Sequence, residues 1–178
     1  MASNWPEIIS KFEQDPAFAQ EFRAIYPDGY KPENFLDAIA MFERTLITPD
    51  RLDKYLKGDG NALTADERKG YELFKRHDCA TCHVGKILGG QSFELMGRKA
   101  DYFKDRGNIT EADYGRYSFT KKEEDKFKLK VPTLRNIAIT FPYLHDATTD
   151  DLSKVIEVMA KYQVGITLSK SDTDLIVK

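Results

Sequence analysis

The sequence predicts an all-α protein: a helical domain with long irregular loops, preceded by extra packing helices. Three observations point there. Apolar residues recur at helical spacing through the first third and again near the end, and proline and capping residues stand where helices should begin. No β-hairpin pattern, internal repeat or low-complexity tract interrupts them.

The elements follow in order. Asn4 with Pro6 opens a helix carrying Ile8, Ile9 and Phe12, and Asp15-Pro16 pairs an N-cap with a first-turn proline ahead of Phe18, Phe22 and Ile25. Pro27-Asp28-Gly29 makes a turn. A third helix begins near Pro32 with Phe35, Ile39, Phe42 and Leu46 on one stripe and stops at Thr48-Pro49. Arg51 to Leu56 predicts a short helix closed by Gly58 and Gly60. Thr64-Ala-Asp-Glu67 is a capping box, opening a helix through Tyr71, Leu73 and Phe74 that delivers the chain to Cys79. From Val84 to about Pro132, glycines and a charged run at Lys121–Lys130 predict a long wrapping loop solvated on its outer side. A helix from about Asp150 to Tyr162 carries Leu152, Val155, Ile156 and Met159 on one face, and another begins at Ser169. The ending Leu-Ile-Val-Lys falls within that last helix and reads as clipped.

The bulk numbers exclude several function classes. With 178 residues the chain can support a sizeable core, and a net charge of -2 with 31% charged residues offers no basic surplus for nucleic acid. No run approaches the roughly 18 apolar residues of a membrane span, and MASNWPEIIS lacks the basic-then-apolar pattern of a secretion signal. Two cysteines three positions apart are not a disulfide framework.

Cys79-Ala80-Thr81-Cys82-His83 fits C-x-x-C-H, the attachment pattern of one covalent c-type haem. Two thiols add across the vinyl groups at one edge of the macrocycle while the next residue presents imidazole to the iron, which requires a short, bent segment. A redox dithiol would expect a βαβ setting, and a zinc pair would need a second pair of ligands that three histidines and two cysteines hardly supply. Thioether attachment in bacteria takes place outside the cytoplasm, so the expected location is the periplasm, with a leader cleaved or replaced by the Met-Ala-Ser start.

The sixth iron ligand decides what such a haem does: a His/Met iron is full and suited to electron transfer, whereas an open one binds peroxide or another small ligand. The candidates are Met41, Met96, Met159, His77 and His145. Met41 belongs to a packing helix, where Met commonly fills gaps; Met96 follows His83 by only 13 residues; His77 precedes the attachment site too closely to cross to the far face. Met159 and His145 remain, the first also readable as core and the second as a histidine bonded to Asp146 or to backbone. Spacing does not choose between them.

Several motifs occur in an order that resembles bacterial di-haem cytochrome c peroxidases: Phe35–Leu46, the Cys79–His83 site, Leu88-Gly89-Gly90-Gln91-Ser92-Phe93, Pro132-Thr133-Leu134-Arg135-Asn136-Ile137, Pro142-Tyr143-Leu144-His145-Asp146 and Val158-Met159-Ala160-Lys161-Tyr162-Gln163. The resemblance is to the C-terminal half, which in that family holds the electron-transfer haem. It implies a cytochrome c-like helical domain over residues 47–178 with one haem c, and a segment over residues 1–46 that resembles the end of the peroxidatic domain and has lost its usual neighbour. It implies His83 as proximal and Met159 as distal ligand; related di-haem enzymes that oxidise a protein substrate carry Tyr at the latter position. Thr140 and Pro142 match positions whose carbonyl oxygens help hold a calcium ion between the domains. The implied partners are a small donor cytochrome or copper protein, steered by charges around the haem edge, the missing peroxidatic haem domain, and a second copy in a homodimer. One departure is Ala147, where family members have Gly after His-Asp, so another loop path is expected there.

The expected function is the electron-transfer portion of such a peroxidase, relaying electrons toward reduction of H₂O₂ and not turning over alone. A free-standing mono-haem electron carrier is the alternative, favoured by the single C-x-x-C-H. A third reading makes the single haem itself a peroxidase, with an open iron face and His145 or a Glu as acid-base group.

Overall fold

The computed structural model describes residues 3–178. Met1 and Ala2 of the Met-Ala-Ser start lie outside the described residues. The chain divides into two compact units, the first ending at Pro49 and the second running from Asp50 to Lys178.

The first unit is three helices, α1 (Trp5–Glu13), α2 (Pro16–Ile25) and α3 (Pro32–Thr45). The Asn4 side chain accepts the Glu7 amide at 3.0 Å, and Asp15 Oδ1 accepts the amides of Ala17 and Phe18 at 3.0 and 3.1 Å, so two free amide sets are satisfied where the sequence places them. The core of this unit is aromatic. Buried Phe22 stacks on Phe18, Tyr30 and Phe35 with ring centroids 5.5, 5.2 and 4.8 Å away, and Phe12 stacks on Phe18 at 4.5 Å. The expected apolar stripe of α3 is buried only at Phe35. Ile39, Phe42 and Leu46 are more than half exposed, because the two preceding helices contribute their aromatic rings at the Phe35 end.

The second unit begins with α4 (Arg51–Leu56) and α5 (Ala65–Arg76), each opened by a capping box, Asp50 with Asp53 and Thr64 with Glu67. A 3₁₀ turn, Cys79–Thr81, follows directly. The segment expected as a solvated loop is instead a built part of the fold. It contains a two-stranded antiparallel sheet, β1 (Phe93–Leu95) paired with β2 (Lys128–Lys130) in the register Glu94 to Leu129, and between the strands the short helices α6 (Tyr102–Arg106) and α7 (Tyr117–Thr120). It also supplies Met96, Tyr102 and Phe103 to the buried cluster that Tyr162 completes. The strands lie too far apart in sequence to form a hairpin, and one glycine that makes the segment look irregular serves a close approach: a Cβ on Gly89 would sit 2.0 Å from the Pro132 carbonyl oxygen, and Gly89 has φ +134°.

The chain ends in α8 (Leu152–Met159), a π turn at Ala160–Val164 and α9 (Lys170–Val177). Helices α5 and α9 touch backbone to backbone: a Cβ on Gly70 would lie 2.0 Å from the Leu175 carbonyl oxygen, so only glycine lets them meet. No helix among the described residues is long and apolar enough to cross a membrane.

Candidate haem site

The bend that the C-x-x-C-H spacing demands is present. Helix α5 ends at His77, Asp78 takes a left-handed conformation with φ 57°, and the 3₁₀ turn folds Cys82 and His83 back so that their amides both reach the Cys79 carbonyl, at 3.3 and 3.1 Å. Both thiols are free and half-buried, and burial pushes the Cys79 thiol above its ordinary pKa. Burial holds the His83 imidazole below its ordinary pKa, against the pull of neighbouring backbone carbonyls. A neutral ring is the form that binds a metal.

The orientation of that ring is set by residues well beyond the motif. His83 Nδ1 lies 3.3 Å from the Leu88 carbonyl oxygen, which also accepts the Leu134 amide at 3.1 Å. Donating Nδ1–H to a carbonyl fixes the tautomer and leaves Nε2 as the ligating atom, the usual outer support of a ligating histidine. The Lys86–Gly90 loop is in turn clasped by the segment after β2: the Gly90 amide bonds to Val131 O at 2.8 Å, Thr133 Oγ1 donates to Ile87 O, and Arg135 donates to Lys86 O. Arg135 continues to Asp53 of α4 in a forked pair at 3.0 and 2.8 Å, holding that carboxyl well below the usual range together with the Asp50 amide. Val84 and Ile87 stay 42 and 44% exposed beside the motif, apolar surface of the kind a macrocycle covers. Two thiols on one short turn, a neutral imidazole held by Nδ1 and adjacent apolar surface fit haem c.

The sixth-ligand candidates separate as follows. Met41 is half exposed in the first unit, and its sulfur accepts from Arg44 at 3.2 Å. His77 caps the C-terminus of α5. Met96 is 7% exposed, and its sulfur accepts from Gln163 Nε2 at 3.4 Å. Met159 ends α8 where the π turn starts and packs, partly buried, on the Met96-Tyr102-Phe103-Tyr162 cluster; such local π turns frequently mark functional positions.

His145 pairs with a carboxylate other than the Asp146 or backbone partner that the sequence offers beside ligation. Its Nε2 lies 2.6 Å from Asp113 Oδ1, while Asp146 pairs with Arg106. Asp113 is fully enclosed. Burial pushes its carboxyl up, but Arg106 at 2.5 Å, the Thr110 amide at 2.6 Å and His145 outweigh that and hold it well below the usual range. An ionised carboxylate only accepts, so His145 Nε2 carries a proton there and is engaged. Asp113, His145 and Asp146 are the only group of three such side chains among the described residues close enough to hold a metal ion, and Arg106 already pairs with both carboxylates. Thr140 and Pro142 lie on an exposed stretch outside that group. Two neutral carbonyls fall short of the six to eight oxygens calcium takes. Ala147 departs from the expected effect of its side chain: it adopts the left-handed φ of 56° that a glycine would take.

Sequence reasoning expects the attachment residues but gives no role to Leu88, Asp53, Arg106, Asp113 or Gln163. Arg135 and Gln163 fall inside motifs that carried the resemblance, which is the one signal that could have marked them. Arg106 and Asp113 have none, being charged residues in a charge-rich stretch.

The helix-rich fold is consistent with an all-α cytochrome c-like domain, and comparison with known proteins narrows the likeness. The family model for di-haem cytochrome c peroxidase matches residues 1–61. Cytochrome c peroxidase Ccp of Escherichia coli (strain K12) is 53% identical over 99% of this chain and 38% of its own length, and cytochrome c551 peroxidase of Nitrosomonas europaea is 39% identical over 91% of this chain and 48% of its own. The crystal structure of a MauG-like protein associated with microbial copper homeostasis matches the whole chain and 62% of its own length, with a TM-score of 0.77 at 26% identity. The chain is homologous to di-haem cytochrome c peroxidases and spans less than half the length of these two. That homology implies haem c as cofactor.

Proposed function

We propose that the chain is the electron-transfer haem portion of a di-haem cytochrome c peroxidase, relaying electrons from a small cytochrome or copper protein toward a peroxidatic haem domain that reduces H₂O₂. The observation that carries this reading is the His83 ring held by the Leu88 carbonyl on a Cys79–Cys82 turn, inside a chain homologous to these peroxidases. When bound, the haem supplies a one-electron iron couple. Cys79 and Cys82 would anchor it through thioethers, and His83 Nε2 and the Met159 sulfur would hold its iron. The engaged Nε2 of His145 and the bonded sulfur of Met96 support that choice over the other candidates. An iron held by both side chains would leave no position for peroxide, so turnover would require the other domain.

The segment before residue 47 is the end of the peroxidatic domain in this reading, and the exposed Ile39, Phe42 and Leu46 support its having a neighbour elsewhere in the longer protein. The location is the periplasm, where thioethers are made, and the assembly is a homodimer. Calcium enters only as a half-site at the Thr140 and Pro142 carbonyls that needs oxygens from outside this chain.

Stopped-flow mixing tests the relay. The reduced, haem-loaded chain should pass its electron rapidly to a ferric small cytochrome, with a rate that falls as salt rises, and should be oxidised only slowly by H₂O₂. Rapid peroxide reduction by this chain alone would overturn the relay.

A further inference from the structure

Two methionines meet in one cluster of the second unit, and a haem has room for one. Met96 belongs to the buried cluster and Met159 packs against it, so the same apolar wall offers two chemically equal thioethers. Their surroundings differ at the sulfur. Met96 Sδ accepts a hydrogen bond from Gln163 Nε2 at 3.4 Å, and the Met96 amide is tied to Phe127 O at 2.9 Å. Among the described residues no hydrogen bond reaches the Met159 sulfur.

Gln163 does more than occupy one lone pair. Its Nε2 also donates to Leu95 O at 3.1 Å, and its Oε1 accepts the Arg98 amide at 3.3 Å. One amide thus brackets residues 95–98 from both sides. Gly97, at the centre of that stretch, has φ +100°, and a Cβ there would sit 2.6 Å from Ala100 O, so the backbone it brackets has little freedom of its own. Gln163 reaches this stretch because the chain leaves α8 through a π turn: the Gly165 amide bonds to Ala160 O at 2.8 Å, five residues back, and the Lys99 amide bonds to Tyr162 O at 2.9 Å. Gln163 follows Met159 by four residues, so the element that carries one methionine also holds the other.

We propose that Gln163 is a positioning residue that selects the axial ligand: its side-chain amide clamps the Met96 thioether and the backbone on either side of it, keeping Met96 from the iron and reserving that place for Met159. The proposal rests on Met159 being the axial ligand. A neutral amide suits the task, since it donates to the sulfur and to Leu95 O while accepting from Arg98, which neither a carboxylate nor an apolar side chain does.

Ferric spectra of four haem-loaded chains test it. The wild type should show the far-red sulfur-to-iron band, and Met159→Leu should lose it. Adding Gln163→Leu to Met159→Leu should bring a sulfur band back as the freed Met96 binds, and Met96→Leu on top of that pair should abolish it again. A purely structural role for Gln163 would not restore a ligand band. Gln163→Glu keeps the acceptor for Arg98 but lacks the donor, so it carries the same expectation where the leucine variant does not fold. Failure of the band to return in either double variant, with far-UV dichroism and thermal midpoint matching Met159→Leu, would overturn the clamp and leave the Met159 assignment standing. A band missing from the wild type, or persisting in Met159→Leu, would instead overturn that assignment and the clamp with it.

Discussion

The turn that carries Cys79, Cys82 and His83 and the helix end that carries Met159 are built in opposite ways. The first closes on itself through amides a few residues apart, Thr81 to Asp78 and both Cys82 and His83 to Cys79, and is then braced by Leu88, Leu134 and Arg135. The second is held by partners 56 to 68 residues away: Gln163 to Leu95, Met96 and Arg98, and Lys161 and Tyr162 to Asp105. A local clip can form as soon as its residues are chained together, whereas a wall made of distant partners exists only when the whole unit is packed. Attachment and axial ligation are therefore expected to respond differently to damage elsewhere in the fold.

The largest effect should follow Asp113→Ala. It strands Arg106 and the His145 Nε2–H around an enclosed site, a loss of about 3 to 5 kcal/mol in urea unfolding. Phe103 contacts His145 edge-on at 5.8 Å and belongs to the cluster under Met159, so amide exchange should quicken around residues 95–106 before it does around 79–90. Equal quickening in both would break the contrast between the two regions. The same carboxyl sets an acid dependence. Its folded pKa is held below the unfolded value of about 4, so the unfolded chain binds the proton more readily. The stabilisation is full above that value and is lost as pH falls toward and through the folded one. Asp113→Asn should flatten the acid limb of the stability profile.

Gly89→Ala addresses the other region. Its Cβ would meet Pro132 O at 2.0 Å in a left-handed backbone, and opening the clasp over the His83 carbonyl partner should cost about 3 kcal/mol. Its exchange signature should be the mirror image, fastest at residues 84–90 and 131–135. The smallest effect is expected at Ala147→Gly, which relieves a side chain held at φ 56° and should raise stability by up to about 1 kcal/mol in the same urea titration. A loss there would show that the alanine methyl contributes packing.

Much of the helical framework was legible because its signals are local. Asn4, Asp15, Pro32, the Thr64-Glu67 box and Ser169 each act within a few residues of themselves, and each opens the helix expected of it. The stretch from Val84 to Pro132 reads as loop because its order comes from contacts that no short window contains: Met96 on Phe127, Gly90 on Val131 and Arg106 on Asp146. Gly89, Gly97 and Gly115 look like interruptions until the backbones that press on them are in place. The same division runs through the site. The attachment motif is five consecutive residues, while the carboxylate that holds His145, Asp113, lies 32 residues away and outside any local pattern.

The central claim is a haem closed on both faces by His83 and Met159. The ferric absorption spectrum of the haem-loaded chain, taken beside that of Met159→Ala, tests it most directly. The account predicts a low-spin spectrum with the far-red sulfur-to-iron band, and in the variant the loss of that band with new reactivity toward peroxide. A high-spin ferric spectrum in the unaltered chain would contradict it.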